Sequence, residues 1–180
     1  MKKLVLKNVR LSFPSLFQHA TYQGQSLEKF EATFLINKDD PQLKTVQAAI
    51  KEVGEAEFGK DWGKARMPII DGVTKDYDGY EGTWALKATT KKRPVVVDRD
   101  KSPLVEDDGK PYAGCYVNAS ITINAFGNNY GKFVVANLNA VQFTKDGDSF
   151  GGDSGGGADD FDALDGDTDD IPFESEAAPF

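Results

Sequence analysis

The stretch YVNASITINAF, Tyr116–Phe126, decides the fold. Val117, Ala119, Ile121, Ile123 and Ala125 alternate with Asn118, Ser120, Thr122 and Asn124, the period-2 pattern of a strand with one face in a core. Asn128–Gly131 follows as a turn, and Lys132–Phe143 returns as the partner strand. Upstream, Leu4–Phe13 and Lys29–Asn37 read as strands, the latter with Phe30, Ala32, Phe34 and Ile36 on one side and Glu31 and Thr33 on the other. Thr83–Thr90 and, briefly, Pro94–Asp98 complete the set.

One helix interrupts them. Asp40-Pro41 supplies an N-cap and a proline at the first helical position. Leu43, Val46, Ile50 and Val53 then recur at helical spacing, so the pattern predicts a helix from Pro41 to about Phe58. Five or six strands with one inserted helix make a mainly β protein, a Greek-key barrel or sandwich. An OB-type barrel leads that class. Apolar periodicity stops after Gly147, and GGDSGGGADD reads as a flexible linker. The expected organisation is a barrel over 1–147 and a disordered acidic tail over 148–180.

Charge divides the chain the same way. Of its 29 acidic residues, 12 lie from Asp146 onward, where there is no Lys or Arg; the rest of the chain holds 17 against 21 basic, a net +4. A basic globule with an acidic tail points to a polyanion surface for which the tail competes. The single cysteine, Cys115, allows no internal disulfide and fits a reducing cytoplasm. MKKLVLK lacks the long apolar run and cleavage site of a signal peptide. No stretch reaches the roughly 18 apolar residues of a membrane span. The expectation is a cytoplasmic protein with no membrane partner.

Catalytic chemistry finds little support. One histidine, His19, and one cysteine do not build a Cys/His zinc site or a supported Cys-His pair. Asp71, Asp76, Asp78 and Glu81 gather ahead of the strand carrying Lys87, which keeps a metal-dependent nuclease as an alternative. Ala85 stands where the common nuclease pattern wants a carboxylate, and a solvated acidic loop is the better account of the cluster. Asp165, Asp167, Asp169 and Glu176 fall at positions 1, 3, 5 and 12 of an EF-hand-like loop, but Asp170 replaces the glycine of its sharp turn. A calcium-responsive or structural adaptor is the remaining alternative, and no cofactor is implied.

Binding chemistry finds more. The outer face of the opening strand reads Tyr116, Asn118, Ser120, Thr122, Asn124, Phe126: uncharged, with an aromatic at each end. Such a face suits unpaired bases, each stacked base contributing roughly 1–3 kcal/mol; packing beneath a loop is the alternative. Lys60, Lys64 and Arg66 surround Trp62. Lys87, Lys91, Lys92 and Arg93 close the strand of Trp84, and Tyr80 precedes it in DYDGYEG. Basic groups interleaved with aromatics track a phosphate backbone while rings accept any base.

These stretches carry a resemblance. LSFPSLF, FLINKDD, WGKARMPIIDG, YAGCYVNASITINAF and VANLNAVQFTKDG, in this order over residues 4–147, resemble a phage-encoded family of OB-fold single-stranded DNA-binding proteins. DDIPF, Asp169–Phe173, is similar to the acidic tip of bacterial single-stranded DNA-binding proteins. The resemblance implies non-enzymatic, sequence-tolerant binding of single-stranded DNA in phage replication, recombination or repair, and it allows a homodimer. It also implies a tail that occupies the DNA groove until displaced and then docks replication or repair proteins. Here ESEAAPF follows Phe173, so Pro179-Phe180 is the expected docking tip, and Asp169, Asp170, Ile171, Pro172 and Phe173 an internal anchor.

Overall fold

The computed structural model describes residues 1–150. Its strands are β1 (Lys2–Ser15), β2 (Thr21–Tyr22), β3 (Gln25–Ser26), β4 (Phe30–Asn37), β5 (Ile69–Asp71), β6 (Thr83–Thr90), β7 (Val95–Val97), β8 (Tyr116–Asn128) and β9 (Gly131–Lys145), with helix α1 (Pro41–Phe58) between β4 and β5. Antiparallel pairing joins β6 to β4, β4 to β1, β1 to β8 and β8 to β9. A short parallel pairing, Ala88↔Ala136 and Thr89↔Asn137, joins β6 back to β9 and closes a five-stranded barrel. β5 extends the sheet beside β6, β7 lies parallel to β9, and β2–β3 is a separate small hairpin.

The expected periodicities account for the interior. Phe34, Ile36, Leu86, Ala88, Val117, Ala119, Ile121 and Ile123 are fully buried in one core. α1 begins as anticipated: the Asp40 carboxylate accepts the Gln42 N–H at 2.9 Å, and Pro41 stands in the first turn. Leu43, Val46, Ala49, Ile50 and Val53 form its buried face, packed on β1, β4, β8 and β9. The helix stops at Gly59, whose φ of 59° needs no Cβ, and continues as a 3-10 turn through Lys64. Cys115 is wholly buried, and burial pushes its thiol up to about 11.

Bulges interrupt the alternation at four places, one of them between Tyr116 and Val117 at the end of β9. β1 slips register between Leu6 and Val9 and again between Ser12 and Ser15, with Asn8 at φ 52° and Phe13 at φ 44°. The third slip, between Ser120 and Ile121, makes Asn139 the extra residue on β9. A bulge turns the next side chain to the other face. Simple alternation from Leu11 would send Phe13 inward; the bulge leaves it 56% exposed on the outside of the barrel.

Beyond β9 the chain stays packed through Phe150, three residues past the boundary expected from loss of periodicity. The Tyr112 hydroxyl donates to the Asp146 carboxylate at 2.7 Å, and the Phe150 N–H donates to the Ala113 carbonyl at 3.1 Å. The Phe150 ring lies 4.3 Å from the Arg10 guanidinium and joins a small outer cluster of Leu35, Tyr80 and Ala85.

The loop from Asp71 to Gly82 is pinned to this outer face. Asp71 accepts the Val73 N–H at 3.1 Å and the Lys38 ammonium at 3.2 Å. Gly72 is buried directly beneath the Tyr80 and Thr83 carbonyls, and a Cβ there would overlap both. Gly72→Ala is therefore expected to cost about 1–3 kcal/mol, the usual range for forced backbone displacement, read as a lower urea midpoint at unchanged m-value. A neutral result would show that this loop yields freely.

Candidate nucleic-acid interface

On the outside of the barrel, β4 and β6 carry Glu31, Thr33, Ala85, Lys87 and Thr89, because Phe34, Ile36, Leu86 and Ala88 claim the inner face. These residues floor an open groove of about 790 Å³. One wall is aromatic. Phe13 from the β1 bulge meets Tyr77 edge-on at 5.1 Å, and Tyr77 meets Tyr80 edge-on at 5.2 Å. The facing wall comes from Arg66, Met67 and Ile70 with the start of β9 at Phe133. Arg66 is set there by backbone pairing: its N–H donates to the Lys132 carbonyl at 2.9 Å, and its carbonyl accepts the Val134 N–H at 2.8 Å.

The rings differ in role. Tyr80 is buried, its hydroxyl sharing a 2.9 Å hydrogen bond with the buried Ser12 hydroxyl; burial pushes its phenol up, partly offset by that bond. Phe13, Tyr22 and Tyr77 are 56%, 66% and 49% exposed. Large rings do not stay in water for want of a core, so a row of three along one groove reads as a set of stacking platforms. Cations complete the lining: Lys29, Lys75, Lys87 and Arg66 against the one lining acid, Glu31.

The sequence-derived candidates divide between this groove and other places. Arg66, Tyr80 and Lys87 line it. Trp84 does not, since it shares the inward parity of Leu86 and Ala88 and packs against the core. Trp62 packs its Cβ and ring on Gly54 of α1 and is half-buried. Lys60 is exposed on the same turn, where Lys64 and Lys132 hold Asp61 at 3.4 and 3.3 Å and draw its carboxyl below the usual range. Lys91, Lys92 and Arg93 occupy the exposed turn after β6, with the Arg93 guanidinium over the Phe17 ring.

The polar face of β8 lies outside the groove lining as well. Its small groups are satisfied sideways: Asn118 donates to Gln142 at 3.0 Å and accepts the Asn8 N–H, and Asn139 donates to Thr122 at 2.9 Å. Tyr116 covers Lys145 and Arg10 rather than open space. Phe126 stacks at 5.3 Å on Phe133 and so backs the groove wall. The tail candidates from Asp169 to Phe180, and the EF-hand-like positions, lie outside the described residues. Asp71, the first member of the acidic cluster, is engaged locally, and among the described residues no three His, Cys, Asp or Glu side chains gather as a metal site requires. Nor is any described helix long and apolar enough to cross a membrane.

A closed five-stranded barrel in the order β1-β4-β6-β9-β8, with β6 and β9 parallel, is the OB fold. Residues 2–172 match the family of the Enterobacter phage Enc34 ssDNA-binding protein, and the chain belongs to that family. It is 44% identical over 173 residues to putative protein p50 of Acyrthosiphon pisum secondary endosymbiont phage 1, spanning 90% of this chain and 94% of that one. The structure of the bacteriophage Enc34 protein in complex with ssDNA is similar at TM-score 0.74 and 27% identity, over 83% of this chain and 89% of that one. The bacteriophage T7 single-stranded DNA-binding protein gp2.5 shares the fold, at TM-score 0.58 and 17% identity, covering 99% of each chain.

Tyr80→Phe should isolate the one buried polar contact of the aromatic wall. Losing the phenol leaves Ser12 without its partner and is expected to lower stability by about 1–3 kcal/mol, measured by urea unfolding. Unchanged stability would mean that the Ser12 hydroxyl finds another partner.

Proposed function

We propose that this chain binds single-stranded DNA along the β4–β6 groove, as a binding protein rather than an enzyme, in phage DNA replication, recombination or repair. The observation that carries the reading is the row of exposed Phe13, Tyr22 and Tyr77 along a groove of net positive lining, in a chain whose relative from phage Enc34 is known in complex with ssDNA. Rings accept bases of any sequence, and Lys29, Lys75, Lys87 and Arg66 follow the phosphates. Such work places it in the host-cell cytoplasm.

The acidic stretch competes for the same groove. Phe150, where the described chain ends, packs beside Tyr80 and Ala85, both of which line the groove. Acidic residues tethered so close act at a high local concentration without any tight contact of their own. Once displaced by DNA, Ile171-Pro172-Phe173 and Pro179-Phe180 dock replication or repair proteins, proline limiting the entropy lost when a ring is buried.

Fluorescence anisotropy of a labelled dT oligonucleotide tests both parts, using the full chain and a chain cut after Phe150 at two salt concentrations. Binding is expected to weaken with salt and to tighten on cutting. Phe13→Ala and Tyr77→Ala are each expected to weaken it by about 5- to 100-fold, the worth of one stacked base, with little change in melting temperature. No binding by either form at low salt would overturn the reading. Equal affinity of the cut and full chains would remove the tail from the groove but leave the groove intact.

A further inference from the structure

In the floor of the groove stands a carboxylate that polyanion binding does not call for. Glu31 projects from β4 opposite Thr89 of β6, with Lys87 3.2 Å and Lys29 3.9 Å from its Oε2. Its side chain is only 16% exposed, and Oε2 is buried without a hydrogen bond, since neither lysine approaches with hydrogen-bonding geometry. A buried charged acceptor without a donor is costly. A negative charge between two phosphate-binding lysines also repels the phosphates they attract. A donor brought by the ligand offsets the first cost and gives the carboxylate that causes the second a partner.

We propose that Glu31 reads a base edge: its carboxylate accepts an exocyclic N–H from a base seated over β4 and β6, and so favours cytosine or guanine over thymine at that position. The inference rests on the single-stranded DNA reading. Lys29 and Lys87 hold the flanking phosphates, and the carboxylate between them, which repels phosphate oxygens, is left to face a base. Unpaired bases present their Watson–Crick edges. Cytosine offers N4–H, the donor that Glu and Asp side chains take from DNA, and guanine offers N1–H and N2–H side by side. Thymine offers one N3–H set between two carbonyl oxygens, which face the carboxylate with like polarity. One such position leaves binding broad, because the stacking platforms accept every base.

The test is anisotropy at pH 8 with the full chain and two labelled oligonucleotides of equal length, all-dC and all-dT. The wild-type protein is expected to bind dC about 5- to 10-fold more tightly, the low end of what one direct base contact discriminates. Glu31→Gln, which can face either base with an acceptor or a donor, should bring the ratio within about twofold, chiefly by gaining affinity for dT. A role confined to screening Lys87 would shift both affinities together and leave the ratio alone. A wild-type ratio near one, or a ratio kept in Glu31→Gln, overturns the inference while single-stranded DNA binding stands. Absence of binding to both oligonucleotides overturns the parent reading instead.

Discussion

The short parallel contact between β6 and β9 is the constraint on which the rest depends. It consists of two register pairs, Ala88↔Ala136 and Thr89↔Asn137, and without it the sheet would be an open ribbon with exposed edges. Ala88 and Ala136 are both buried, and their small side chains let the two strands close over an interior already filled by Phe34, Leu86 and Ile121. Closure fixes parity on β6. Once Leu86 and Ala88 are inside, Lys87 and Thr89 must be outside, beside Glu31 and Thr33 of β4. The same closure brings the start of β9 next to Arg66, whose backbone bridges to Lys132 and Val134. The groove is thus the outer surface of the seam that makes the barrel.

Regular elements were legible because their periodicity carries the burial. β4, α1 and β8 show their inward residues in the sequence, and Asp40-Pro41 marks the start of α1 within a residue. The site was harder to read because it is built from departures from periodicity. Phe13 follows the alternation of Leu11 and looks like core until the β1 bulge turns it out. Tyr77 lies in an acidic, glycine-rich loop whose packing depends on Gly72 fitting under two carbonyls. Lys29 and Lys75 stand in no basic cluster at all. The uncharged outer face of β8 also has a structural account, because side chains that satisfy one another across strands need no charge. Asn118, Gln142, Thr122 and Asn139 do so in pairs. Periodicity records which face is outside, not what that face touches.

Electrostatics links the groove to the divided charge of the chain. Several cations already have acidic neighbours: Lys87 and Lys29 at Glu31, Lys64 and Lys132 at Asp61, Lys38 at Asp71. Exposed pairs such as those at Asp61 contribute little to stability and exchange readily for another anion, whereas Glu31 is largely buried. A phosphate that replaces a carboxylate at Lys64 or Lys132 therefore displaces a weak partner rather than breaking a structural bond. Contacts between exposed charges of this kind are exchangeable, and salt weakens them together.

The root of the acidic stretch follows from the same economy of contacts. Arg10 could have been one more phosphate-binding cation, but the fold uses it otherwise. Its guanidinium donates to the Gly114 carbonyl at 3.1 Å and the Asp148 carbonyl at 2.7 Å, with the Phe150 ring stacked upon it. Neutral carbonyls leave the guanidinium charge in place, so Arg10 holds the chain through Phe150 and remains a cation. Phe150 reaches past Arg10 to Leu35, Tyr80 and Ala85, so a single arginine and a single ring fix the exit of the chain beside the aromatic wall. The fold therefore sets, by two side chains at its edge, where the chain through Phe150 lies beside the aromatic wall.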